Sequence, residues 1–438
     1  MQALLSFEQA PPIAAPFRFF LTAPLFSGLA GLLLVVNGGE IFASRWTPGA
    51  LAVTHLLTVG FMLQVMLGAM IQILPVVAGA NLRQPLRVAG IVHVLMLLGT
   101  LALAGGFLGV SEAAFPLAIS FLGGGVIYFL LMAGLSLRGV PSTSATIAGI
   151  KRALLALLIA VMLGFSLTGG LEGRWPIPLL EVTRVHVAWG LGAWATGLLS
   201  AVAYVVVPMF QITPAYPAWF SRTFGIFLLA AVAAASLAVF GAVEWLAALL
   251  ESTVVWLAAG YCATTLWLQS RSKRARPDTT QRFWRLAMLC GLVACALWGM
   301  VRLLPTLADD VAWPLLFGVL VLVGGFMSVI SGMLYKIVPF LVWLHLQNRG
   351  QSRVVAPNMK AVLAEGKMTR HLYAHCATCC LLLLAVVWPS LLTRPAGLAM
   401  LVASAFLAHN LISAAGVYRH HAALVDARLA ELAAGGAG

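Results

Sequence analysis

Nine histidines are the residues in this chain best suited to chemistry, and two of them share a setting. His55 and His186 stand 20 and 22 residues before Pro75 and Pro208, each at the head of a long apolar stretch. At 1.5 Å per residue, both lie roughly 30 Å along a helix from those prolines. Two imidazoles at one depth on related helices could ligate a haem iron or a copper ion, since neutral imidazole serves both. They could equally be boundary histidines bonded to nearby loops.

A second group has helical spacing. His371, His375 and Cys379 recur every four residues and share one face, and Cys376 and Cys379 form a C-x-x-C. His93 and His345 fall at a similar depth. A soft metal site fits these donors. The alternative is a boundary helix whose histidines face headgroups. His409, followed by Asn410, sits in the middle of the last apolar stretch and needs a partner there, which makes it another ligand candidate. Arg302 could meet a haem propionate, or Asp309 and Asp310. Lys336 could reach water by snorkelling or serve a proton pathway.

The elements that must position these groups follow from composition. The 438 residues are 62% hydrophobic and 9% charged, too few charges for a water-soluble domain. Apolar runs of 20 or more residues are the length that crosses a bilayer as helix, and barrel strands would alternate instead. Twelve runs are expected, near 18–37, 50–76, 87–107, 113–135, 150–169, 183–209, 222–243, 247–268, 284–304, 312–343, 372–392 and 396–418. The chain is therefore an all-α integral membrane protein in one polytopic domain, 1–438. Residues 1–17 form a short N-terminal segment and 419–438 a tail. The tenth run is long enough to hide a tilt or a break.

The net charge of +13 is unevenly placed. Arg83, Arg138, Arg222, the run from Arg271 to Arg285, and Lys360 to Arg370 share a side with both tails. The opposite side holds most of the acids, among them Glu40, Glu112, Glu181, Glu251 and Asp310. Positive loops face the cytoplasm, so both termini are expected there, in a bacterial-type inner membrane. The basic face suits anionic headgroups of the lipid bilayer, not nucleic acid. The six cysteines lie in or beside helices, which argues against a disulfide framework.

The second, sixth and tenth runs share a pattern of small central residues and a branched-aliphatic end at Pro75, Pro208 and Pro339. Three related spans, four apart, suggest three four-helix arcs about a pseudo-threefold axis.

Several stretches carry a family likeness. HLLTVGF at 55–61, ILPVVAGANLRQPLRVAG at 73–90, HVAWGLGAWATGLLSAVAYVVVP at 186–208 and GMLYKIVPFL at 332–341 resemble subunit I of the heme-copper oxidase superfamily. PFRFFL at 16–21 and HLLTVGF are similar to the NnrS-like haem and copper membrane proteins linked to nitric oxide stress. The resemblance implies heme b, with copper as a further candidate. It matches His55 to the low-spin haem ligand and His186 to a copper-ligand histidine. It also implies a quinol or cytochrome electron donor, or other membrane subunits, as partners. The oxidase histidines of the tenth span correspond to Phe317 and Val319, and residues 210–250 contain no histidine. The standard oxygen-reducing centre is thus missing from the pattern. Three functions stay open: a haem-binding membrane protein in respiration, nitric oxide response or haem and copper handling; a cofactor-free transporter; and an oxidoreductase with an altered metal centre.

Overall fold

The computed structural model describes residues 6–351 and 353–435. Among these residues the regular structure is entirely helical, and twelve helices are long and apolar enough to cross a membrane. They are α1 Ala14–Ala43, α2 Pro48–Ala78, α3 Pro85–Phe107, α4 Ala114–Leu137, α5 Ala145–Leu171 and α6 Leu179–Gln211, then α7 Ala218–Phe240, α8 Glu244–Ser270, α9 Thr279–Leu303, α10 Ala312–Arg349, α11 Glu365–Val387 and α12 Pro389–Ala434. Several starts are written locally. Thr47 caps α2 by accepting from the Ala50 amide at 3.2 Å, with Pro48 at the first helical position. Ser144 caps α5 and Asp278 caps α9 in the same way.

The protein is a multispan membrane protein, and its surface shows it. Leu131, Leu237 and Leu391 are 57%, 76% and 70% exposed, positions that only lipid would favour.

Each span packs on the next, and α12 closes the ring against α1. Gly31 and Gly397 make that closure possible. A Cβ on Gly31 would lie 2.8 Å from the Gly397 carbonyl oxygen, so the two backbones cross with no side chain between them.

Three spans depart from regular α-helix in the same manner. Wide π turns run over Leu56–Leu63 in α2, Ala188–Thr196 in α6 and Leu320–Met327 in α10. They start at 56, 188 and 320, so each start follows the last by 132 residues (188 − 56 and 320 − 188). These spans divide the fold into the arcs α3–α6, α7–α10 and α11–α12–α1–α2, each ending in a π-kinked helix. A π turn adds a residue to the ladder and turns the following side chains by about 100° relative to those before it. Glycines let neighbours fill the widened backbone. A Cβ on Gly60 would meet Phe26 at 2.5 Å, and one on Gly324 would meet the Cys290 sulfur at 2.7 Å.

Two boundaries differ from expectation. The eleventh span starts at Glu365, not near 372, and ends before Pro389. Polar residues of its first turns, Glu365, Lys367 and Arg370, give that stretch the hydropathy of a loop. The twelfth helix continues through the tail, and Asp426 there accepts two bonds of 2.6 Å from Arg349.

Candidate functional site

His55 is the last α-helical residue of α2 before its π turn. Its Nδ1 bonds the Leu51 carbonyl at 2.8 Å, one turn back. The ring lies tilted against Phe107, with centroids 4.7 Å apart. His186 stands two residues before the π turn of α6, and its Nδ1 bonds the Ala160 carbonyl of α5 at 3.0 Å. Since a carbonyl only accepts, both imidazoles carry their proton on Nδ1. That leaves the Nε2 lone pair of each ring free. Fixing the tautomer through Nδ1 is how proteins prepare a histidine for iron or copper.

Both residues are partly buried and keep some accessible surface. Gly164 of α5 makes room for the His186 ring, since a Cβ on it would stand 3.3 Å from Cε1 of His186. In α10 the residue directly before the π turn is Val319, the counterpart of His55. The three-part fold therefore presents two imidazoles, and the third unit offers none.

No family model matches the chain, and no curated protein matches it.

Among the described residues no group of three or more His, Cys, Asp or Glu side chains is arranged to hold a metal ion. A closed site built from protein donors such as zinc uses needs about four. A haem needs only one or two, because the macrocycle supplies the rest. His55 and His186 are two imidazoles of this kind, each with an unpartnered Nε2.

The remaining sequence candidates fall elsewhere. His409 is exposed on the outside of α12, whereas the next residue, Asn410, is buried and donates to Tyr335 Oη at 2.8 Å. Arg302 pairs with Glu251 at 3.0 Å and lies over Trp298, rather than with Asp309 or Asp310. Glu251 also pairs with Arg184 at 3.0 Å, and Arg184 with Glu244 at 3.1 Å. This knot ties α6, α8 and α9 together on the side where His186 lies. Lys336 pairs with Asp278, the cap of α9, at 2.7 Å.

His371 and His375 are buried, 2% and 1% exposed, and so do not face headgroups. They lie roughly 9 and 15 Å along α11 from its start. Their ring centroids are 6.0 Å apart. His371 Nδ1 bonds Tyr335 Oη and His375 Nε2 bonds Ser328 Oγ, both at 2.8 Å. Cys379, one turn further on, faces Cys290 of α9 beside Gly324. The three residues of the sequence motif thus do not converge on one point.

Sequence reasoning missed Glu251, Ser328, Tyr335 and Cys290. Glu251 had a signal, an acid inside an apolar run. The other three became partners only through contacts between spans.

Proposed function

We propose that this chain is a haem-binding membrane protein of oxidase-like architecture, with heme b held by His55 and His186 in the half of the membrane opposite the termini. The observation that carries this reading is the matched preparation of the two imidazoles. Each gives its Nδ1 proton to a backbone carbonyl, and each stands just before a π turn in an equivalent span. A haem so held supplies one-electron redox chemistry in respiration, nitric oxide response or haem and copper handling, with a quinol or cytochrome as electron source. The chain's own part is to fix both tautomers, to keep Val319 where a third imidazole would stand, and to pack Phe107 against the His55 ring.

The reading includes an inner-membrane location with cytoplasmic termini. Its support is charge: on the other side Arg174, Arg184 and Arg302 are all paired with acids, whereas the tail side carries most of the basic residues. A reporter fused after the C-terminus and active only in the cytoplasm tests this. Activity of a periplasm-specific reporter there would reverse the topology.

Purified from membranes in detergent, the protein is expected to contain heme b and iron in equal amounts. A colourless preparation without iron would overturn the proposal.

One feature supports the transporter alternative. Gln64, fully buried next to the π turn of α2, leaves both amide atoms without a partner, as a substrate contact would. A His55→Ala variant that altered uptake of a solute while haem was absent from the parent would favour it. Consumption of oxygen or nitric oxide by the purified protein would instead favour the oxidoreductase.

A further inference from the structure

A second polar centre lies between α1, α10, α11 and α12. His371 and His375 line a small cavity there together with Met327 of α10 and Met400 of α12. Its volume is about 10 Å³, room for one water-sized sphere. That is too small for a macrocycle or an organic substrate and sufficient for a single ion.

The donors are well defined. With Ser328 donating to the Val323 carbonyl at 3.3 Å and accepting from His375 Nε2 at 2.8 Å, the Nδ1 lone pair of His375 is free. His371 is anchored through Nδ1 to Tyr335, so its Nε2 is free of protein partners. Binding an ion at this nitrogen puts the His371 proton on Nδ1, with Tyr335 Oη accepting from both His371 and Asn410. A centroid separation of 6.0 Å suits two imidazoles sharing one ion. Ser331, 1% exposed, also lines the cavity, and its hydroxyl has no partner. A buried polar atom left unpaired at a cavity calls for an occupant.

The chemistry of the lining selects that occupant. Two thioethers and two neutral imidazoles are soft, uncharged donors, and no carboxylate lines the cavity. A divalent ion would bring two uncompensated charges into the interior of a membrane protein, which is costly. A monovalent soft ion brings one and prefers sulfur. We infer that His371, His375, Met327 and Met400 form a binding site for copper(I). Cys379, expected from sequence to complete this set, turns instead toward Cys290. The inference does not depend on haem at His55 and His186.

The test is an anaerobic titration of the purified, reduced full chain with copper(I) against a chromophoric copper(I) chelator. X-ray absorption of the loaded protein accompanies it. One equivalent is expected to bind, with both nitrogen and sulfur in the first shell. Met327→Leu and Met400→Leu conserve volume and spare the fold. Each is expected to weaken binding on the order of 10- to 100-fold and to reduce the sulfur signal. His375→Ala should do the same, and Cys379→Ser should change nothing. Binding lost in Cys379→Ser but kept in both methionine variants would overturn the assignment in favour of the thiol pair. Absence of any copper(I) bound in competition would overturn it outright.

Discussion

Gly164 of α5 stands directly against the ring of His186, so that its missing side chain is what gives the imidazole its place. An added Cβ would approach Cε1 to 3.3 Å, tighter than ordinary contact. Alanine needs only a small shift of the ring. Leucine would push the ring away from the Ala160 carbonyl. Gly164→Leu is therefore expected to cost roughly 1–3 kcal/mol by overpacking and to remove most of the bound haem. Haem content per mole of folded protein measures it, with Gly164→Ala near wild type. Full haem content in the leucine variant would contradict this arrangement.

Asp278 holds two positions at once. Its Oδ1 accepts from the Gln281 amide at 2.9 Å, and its Oδ2 pairs with Lys336 at 2.7 Å and Arg274 at 3.0 Å. Asp278→Ala is expected to lose about 2 kcal/mol or more, combining a helix cap with charge-assisted bonds. The double variant Asp278→Ala with Lys336→Met should lose less than the sum of the two single changes, because neither charge is stranded. Thermal unfolding in detergent reads the cycle, and strict additivity would deny the coupling.

Ring closure rests on the Gly31–Gly397 crossing. Gly397→Val would drive side-chain atoms into the α1 backbone, since even a Cβ would sit 2.6 Å from the Gly31 carbonyl oxygen. A sharp fall in folded yield is expected, with a loss on the order of 1–3 kcal/mol or greater. Gly416, where an added Cβ would meet nothing within 4 Å, is the control, and Gly416→Ala should be silent. Equal yields for the two variants would show that α1 and α12 do not meet at these glycines.

Much of this architecture was legible in the sequence because lipid imposes a simple rule. A span must be long and apolar, and all twelve obey. The relation among the second, sixth and tenth spans was also visible in their glycines and terminal prolines. The π turns themselves were not, because a wide turn reflects packing between helices and leaves no mark in hydropathy. Direction was the other blind spot. His409 and Asn410 are neighbours in sequence, yet one faces outward and the other bonds Tyr335 across 75 positions. Helical spacing placed His371, His375 and Cys379 on one face correctly. It could not reveal that Met327, Met400 and Cys290, from three other spans, divide that face between a cavity and a thiol contact.

The central claim is that the Nε2 atoms of His55 and His186 hold one haem iron. Reduced-minus-oxidised spectra of membranes containing equal amounts of the parent, His55→Ala and His186→Ala test it most directly. The account predicts a b-type band in the parent that is lost or strongly shifted in both variants. A parent without the band, or variants whose bands match the parent in position and size, would contradict it.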